Sequence, residues 1–231
     1  MVEAIILAGG LGTRLASVVP TLPKALAPIR GKPFLDTMLE RLAQSKMIAK
    51  AVLAIGYRSD AILRHYEERS APLPLAYSIE IEPLGTGGAL LHALSQTEGK
   101  TLLVLNGDCF CNLFYSDFIS YHSSKNADLT LAVLHSNDLR RFGSVEFTDE
   151  GRITRFQEKS QEKTAGYLSA GIYLIEREVL SSFANGPCSI ETDFFPKLLA
   201  KNMYAYIHKG SFLDIGTPQS YQLAQQTGWI T

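Results

Sequence analysis

Val2-Glu3-Ala4-Ile5-Ile6-Leu7-Ala8-Gly9-Gly10-Leu11-Gly12-Thr13-Arg14 opens the chain and decides how the rest is read. A short apolar run that breaks into glycines has the profile of a buried strand feeding a loop. Downstream, Leu35, Met38, Leu39 and Leu42 recur at i, i+3, i+4 and i+7, so 33–47 reads as an amphipathic helix. The alternation continues: strands at 51–55, 75–79 and 101–105, helices at 59–69 and 86–96. Such alternation requires crossover connections. The expected fold class is therefore α/β, a Rossmann-like, mostly parallel mixed sheet with helices on both faces. After residue 127 strands dominate, at 129–134, 144–147, 153–157 and 167–175, with helices at 191–201 and 218–226. Thr217-Pro218 is a capped start for the last helix.

With 231 residues the chain fits one domain, 1–231, with a first half of about 1–110 and a second of about 111–231. At 46% hydrophobic and 19% charged residues it is too apolar to be disordered. Its formal charge of −1, without long like-charge runs, offers no footprint for nucleic acid or an anionic membrane. The longest stretch free of Asp, Glu, Lys and Arg, 215–231, is too rich in Gln, Thr and Gly to span a bilayer. Glu3 and the early glycines do not fit a secretory leader, so a cytoplasmic protein is expected. Cys109, Cys111 and Cys188 have neither zinc-finger nor redox-motif spacing and read as reduced thiols.

In an open parallel sheet, ligands bind outside the carboxyl ends of the strands, which directs attention to the loops after the first and fourth. Gly9, Gly10 and Gly12 allow backbone N–H groups close to a polyphosphate, and Arg14 adds a planar fork for phosphate oxygens. The loop lacks the Lys-Ser/Thr ending of a Walker A motif. Leu15 stands where a dinucleotide fingerprint has its third glycine, which disfavours an oxidoreductase. Strand four ends in Asn106-Gly107-Asp108, and Asp214 sits between apolar neighbours before the capped helix. Each aspartate is either a turn former or a ligand for Mg²⁺, which takes one or two protein carboxylates plus substrate phosphate oxygens.

Leu7 to Leu15, Pro23-Lys24-Ala25-Leu26, Glu82 to Ala89, Asn106-Gly107-Asp108, Phe142-Gly143, Phe156 to Lys159, Ala170 to Tyr173 and Leu213 to Pro218 follow one another in a familiar order. In this the chain resembles the sugar-1-phosphate nucleotidyltransferases over nearly its whole length, most of all those that guanylylate D-glycero-D-manno-heptose 1-phosphate, with the mannose-1-phosphate guanylyltransferases close behind. The resemblance implies transfer of a nucleotidyl group from an NTP to a sugar 1-phosphate with release of pyrophosphate, a step in nucleotide-sugar supply for cell-surface polysaccharide. It implies that Leu7, Gly9, Gly10, Gly12, Thr13 and Asn106 bind nucleotide. It gives Arg14 and Lys24 the task of neutralising phosphates, and Asp108 and Asp214 that of carrying Mg²⁺. It further implies that Gly143, Glu158, Lys159, Ser169 and Gly171 bind the sugar 1-phosphate. Glu158 and Lys159 also fit a solvated pair at a strand end. The resemblance leaves the oligomeric state open, a homodimer included.

Guanine presents N1–H and the N2 amine side by side, two donors that one carboxylate accepts together, whereas uracil and thymine suit an amide. Glu80 and Glu82 stand where thymidylyl and uridylyl relatives carry Gln, so GTP is the expected donor, with Glu82 or Glu80 and the Gly87 backbone near the base. Glu82 equally suits a helix start. Ser169 replaces the Asn that relatives usually carry, which leaves mannose or glucose 1-phosphate, and another NTP, as alternatives. A non-catalytic regulatory paralogue is the rival from another class. The joint presence of Arg14, Lys24, Asp108, Lys159 and Asp214 argues against it.

Overall fold

A computed structural model describes residues 1–158, 164–226 and 228. Strand β1 (Val2–Leu7) is buried on both faces because it lies at the middle of a nine-stranded sheet: Ala4 and Ile6 enter one hydrophobic cluster and Ile5 the other. A two-stranded hairpin, β2 (Pro28–Ile29) and β3 (Lys32–Pro33), leads into helix α1 (Phe34–Gln44). Then follow β4 (Ile48–Ile55), α2 (Ser59–Glu67), β5 (Leu75–Ile79), α3 (Gly85–Ala93), β6 (Thr101–Asn106) and β7 (Cys109–Cys111). The second half comprises α4 (Tyr115–Ser124), β8 (Leu129–Ser136), β9 (Ser144–Phe147), β10 (Ile153–Gln157), β11 (Gly166–Glu176) and α5 (Arg177–Leu180). A π-helical turn (Ile190–Phe194), α6 (Phe195–Leu198), β12 (Met203–Ile207), β13 (Phe212–Asp214) and α7 (Pro218–Gln226) complete it.

The sheet runs β10-β9-β11-β6-β1-β4-β5, with β8 also on β11 and β12 on β8. Strands β6, β1, β4 and β5 are mutually parallel, as their strand-helix alternation requires. Strand β11 is antiparallel to β6, β8 and β9. Three partners on two edges are accommodated by a register shift between Ser169 and Tyr173, so that β9 pairs near Tyr167 and β6 pairs from Ile172 onward. Helices α1, α2, α4 and α7 cover one face, burying Leu35, Met38, Ile62, Phe118 and Ala224. Helices α3, α5 and α6 cover the other through Leu90, Leu180 and Leu198.

Most expected elements are present within a few residues, with three differences. The helix expected over 191–201 is a π turn followed by a short α6, with Pro196 near its start, where a missing N–H costs least. Helix α4 is absent from the sequence reading because its serines have weak helix propensity, and only Tyr115, Phe118 and His122 mark its buried side. The two-residue strands β2 and β3 pair only with each other in a local hairpin, whereas the three-residue strands and β12 are set by long-range pairing: Phe212↔Cys111 and Asp214↔Cys109 join β13 to β7, and β12 adds in parallel to β8.

Candidate active site

The carboxyl ends of β1, β4, β5 and β6 open onto a cavity of about 630 Å³. Its wall includes Leu7, Gly9, Gly10, Gly12, Thr13, Arg14, Lys24, Glu82, Asn106 and Asp108, ten of the residues singled out in the sequence. Ala8, Leu11, Ala25, Pro83, Thr86, Ala89 and Gly216, which lie inside the quoted motifs without an assigned role, complete much of it, together with Gly56 and Tyr57, which lie outside every quoted motif.

Two kinds of glycine build the loop after β1. Gly12 has φ +61°, and a Cβ there would lie 3.1 Å from Lys24 Cβ, so backbone and Lys24 approach closely. A Cβ on Gly10 would meet no protein atom within 4 Å. Gly10 therefore leaves room on the cavity side without any internal packing demand, as a cradle for a polyphosphate requires. The loop is anchored by Leu15, which is buried and donates its N–H to Gly12 O at 2.9 Å, and by Gly9 O, which accepts from Tyr57 N at 3.2 Å.

Lys24 and Asp108 meet across this loop in a short Nζ–Oδ2 ion pair. Pro23 orients Lys24 at the head of a 3₁₀ turn, and Gly107 lets the β6 end fold over β1, its N–H bonding to Leu7 O at 2.9 Å. Burial pushes the Asp108 carboxyl up, but the charge and hydrogen bond of Lys24, the Cys109 thiol and Arg14 outweigh it and hold Asp108 below its ordinary range. Burial and the two aspartates together raise the Cys109 thiol well above its usual value, and burial alone pushes Cys111 up to about 12. Both are buried reduced thiols, in accord with the sequence.

The β7–β13 pairing delivers Asp214 beside Asp108: Asp214 lies opposite Cys109, and Ile215 N donates to Asp108 O at 2.9 Å. Asp214 accepts from Gly216 N and from Arg141 Nη2, the latter at 2.7 Å. Arg141 was not marked by any sequence pattern. Asp108 Oδ1 accepts only from the weakly donating Cys109 Sγ at 3.2 Å among the described residues, so it keeps coordinating capacity. Cys109 adjoins Asp108, yet no group of three or more His, Cys, Asp or Glu among the described residues is placed to hold a metal ion by itself, so the two carboxylates fit Mg²⁺, which completes its shell with water and phosphate oxygens, better than a metal needing an all-protein cage.

Near the rim formed by the connection from β5 to α3, Glu80 Oε2 accepts from Leu84 N at 3.0 Å and its Oε1 sits against Gly9, while Glu82 is exposed. Gly87 departs from expectation. Its N–H donates to Cys188 O at 2.9 Å and it is absent from the cavity wall, because the 188 backbone caps the first turn of α3. Thr86 is held by the same segment, donating to Glu191 Oε2 at 2.8 Å and accepting from Ile190 N at 2.9 Å.

On the other side, Gly171 (φ +69°) packs so tightly on Asn106 that a Cβ would lie 2.7 Å from its Nδ2. Tyr173 OH donates to Asn106 Oδ1 at 3.4 Å. Gly143 O accepts from Ser169 N at 2.9 Å, and a Cβ on Gly143 would reach Phe156 Cζ at 2.5 Å and Glu158 Oε2 at 3.3 Å. Gly143 thus adjoins Glu158 and Ser169, Ser169 adjoins Gly171, and Gly171 packs on Asn106, which lines the cavity although none of these four does. Lys159 lies outside the described residues. No helix among the described residues is long and apolar enough to cross a membrane.

A glycine loop, a lysine and an aspartate at the carboxyl edge of the parallel strands, with a second aspartate brought beside them by β13, stand where open α/β sheets bind their ligands. The nucleotidyl transferase family matches residues 3–228, and the chain belongs to that family. It is 37% identical over 226 residues, 97% of each chain, to the D-glycero-alpha-D-manno-heptose 1-phosphate guanylyltransferase of Aneurinibacillus thermoaerophilus. It is 33% identical to the mannose-1-phosphate guanylyltransferase of Mycobacterium tuberculosis, covering 95% of this chain and 62% of that one. The crystal structure of HddC from Yersinia pseudotuberculosis complexed with GMP-PN superposes with a TM-score of 0.87 at 33% identity, covering 98% of this chain and 99% of that one.

Proposed function

We propose that this protein transfers a guanylyl group from GTP to the 1-phosphate of D-glycero-D-manno-heptose, releasing pyrophosphate. The observation that carries the reading is the Lys24–Asp108 pair beside Asp214, facing a glycine loop that leaves space for phosphates. The names of the heptose and mannose guanylyltransferases and the GMP-PN complex of HddC support guanine over other bases.

The attacking oxygen of a sugar 1-phosphate is already anionic, so no general base or protein nucleophile is required. The chemistry reduces to aligning two anions in line and neutralising their repulsion. Gly10, Gly12 and Thr13 hold the triphosphate, Arg14 faces the departing pyrophosphate and Lys24 neutralises the reacting phosphates. Mg²⁺ on Asp108 and Asp214 would supply further charge neutralisation. Glu82, exposed at the rim, accepts from the guanine donors, while Glu80 is occupied in holding the turn at Leu84. Gly143, Glu158, Ser169 and Gly171, with Lys159, receive the sugar 1-phosphate.

Pyrophosphate release tests this directly, with GTP, ATP, UTP and dTTP each paired with manno-heptose, mannose and glucose 1-phosphates. The expected maximum is GTP with the manno-heptose substrate. Preference for UTP or dTTP would overturn the guanine assignment, and a maximum with mannose 1-phosphate the sugar assignment. Nucleotide binding without release from any pair would identify a regulatory protein.

A further inference from the structure

Each proposed metal-binding carboxylate is already matched with a cation of the protein: Lys24 with Asp108 and Arg141 with Asp214. The two cations differ in setting. Lys24 is wedged under the glycine loop, with its side chain only 15% exposed. Arg141 belongs to the connection between β8 and β9, its side chain is 39% exposed, and besides Asp214 its guanidinium meets Ser220 Oγ only at a long 3.4 Å and overhangs the Phe142 ring at 5.5 Å. Two residues further on is Gly143, which faces Phe156 and Glu158 on the sugar side.

Asp214 is only 13% exposed, but water reaches the 39% exposed guanidinium, which is held by this one carboxylate and can therefore exchange it for another anion. When a divalent cation occupies Asp214, one of the two positive charges on that carboxylate becomes redundant. The released fork is carried two residues before Gly143, and an incoming phosphate dianion is best met by such bidentate donors. We propose that Arg141 is a reserve anion-binding residue: it neutralises Asp214 in the metal-free protein and is handed over to the sugar 1-phosphate once metal binds. Arg141 thereby competes with metal for Asp214 and makes metal and sugar phosphate binding mutually favourable. This rests on the proposed transfer reaction for its substrate and on the geometry alone for the exchange.

Arg141→Gln separates the two roles. In nucleotide-free protein, Mn²⁺ affinity measured by electron paramagnetic resonance is expected to rise about two- to fivefold, since a partly exposed competitor has gone. In turnover, KM for the sugar 1-phosphate is expected to rise about tenfold or more with KM for GTP unchanged, the usual size of losing a charge-assisted contact. Arg141→Lys, which keeps the charge without the planar fork and guards against a folding defect in the first variant, should restore only part of the sugar phosphate KM. Unchanged or weakened Mn²⁺ binding in Arg141→Gln overturns the exchange, and so does an unchanged KM for the sugar phosphate. A wild-type protein that turns over no sugar 1-phosphate defeats the transfer reading, whereas the Mn²⁺ measurement needs no substrate.

Discussion

Asp108 is held as a carboxylate by Lys24 despite partial burial, and this single pair links charge, fold and site. Asp108→Asn keeps the shape and removes the charge. Turnover is expected to fall at least about a thousandfold, in line with the loss of a preorganised electrostatic contact. Stability should fall by about 1–2 kcal/mol because Lys24 loses its partner at an incompletely desolvated site, read as a drop of a few degrees in Tm. A near-normal rate would refute its role. At this scale Arg14, Lys24, Asp108 and Asp214 were legible as charged residues at motif positions. Arg141 was not, because nothing local distinguishes it from Arg140, which pairs with its neighbour Asp138. Gly87 misled because its motif position says nothing of the distant Cys188 carbonyl that takes its N–H.

The turns after β1 and before α3 use glycine for opposite reasons, and substitution separates them. Gly10→Ala meets no protein atom, so stability is expected to stay within about 0.5 kcal/mol of wild type while KM for GTP rises about tenfold. Gly85→Ala is different: φ is +70° and the new Cβ would lie 2.5 Å from Cys188 O, a backbone atom that cannot swing away. It should cost about 2–4 kcal/mol in urea denaturation. Equal effects of the two on stability would contradict the division. Helix α7 was readable to the residue because Thr217 and Ser220 form a reciprocal cap, Ser220 N to Thr217 Oγ1 at 3.2 Å and Thr217 N to Ser220 Oγ at 3.1 Å. Helix α4 was not, since packing of Phe118 against the sheet, rather than propensity, makes it a helix.

Across the molecule, the parallel half was legible because β1, β4 and β6 send alternate apolar side chains to two covered faces, which shows as unbroken hydrophobic runs. The order of the antiparallel half was not, because the partner exchange along β11 depends on pairings far apart in sequence. Stability of the whole fold should also report its buried histidines. Burial lowers His122, against the opposing pull of Glu176 and Asp128, and burial lowers His208 against its bond to Ser211. Below about pH 6.5 the unfolded chain binds protons there that the folded chain refuses, so stability falls with pH until each folded value is reached. The slope is at most about 1.4 kcal/mol per pH unit per histidine. His122→Asn should flatten the urea midpoint between pH 7 and 5, and an unaltered pH profile would exclude this contribution.

The account as a whole requires two acids from distant parts of the chain to share one ion over the glycine loop. Crystals grown with a non-hydrolysable GTP analogue and Mn²⁺, measured at the manganese absorption edge, test this most directly. An anomalous peak about 2.0–2.3 Å from oxygens of both Asp108 and Asp214 is predicted. A peak on only one of them, or elsewhere with Asp214 still bound to Arg141, would contradict it.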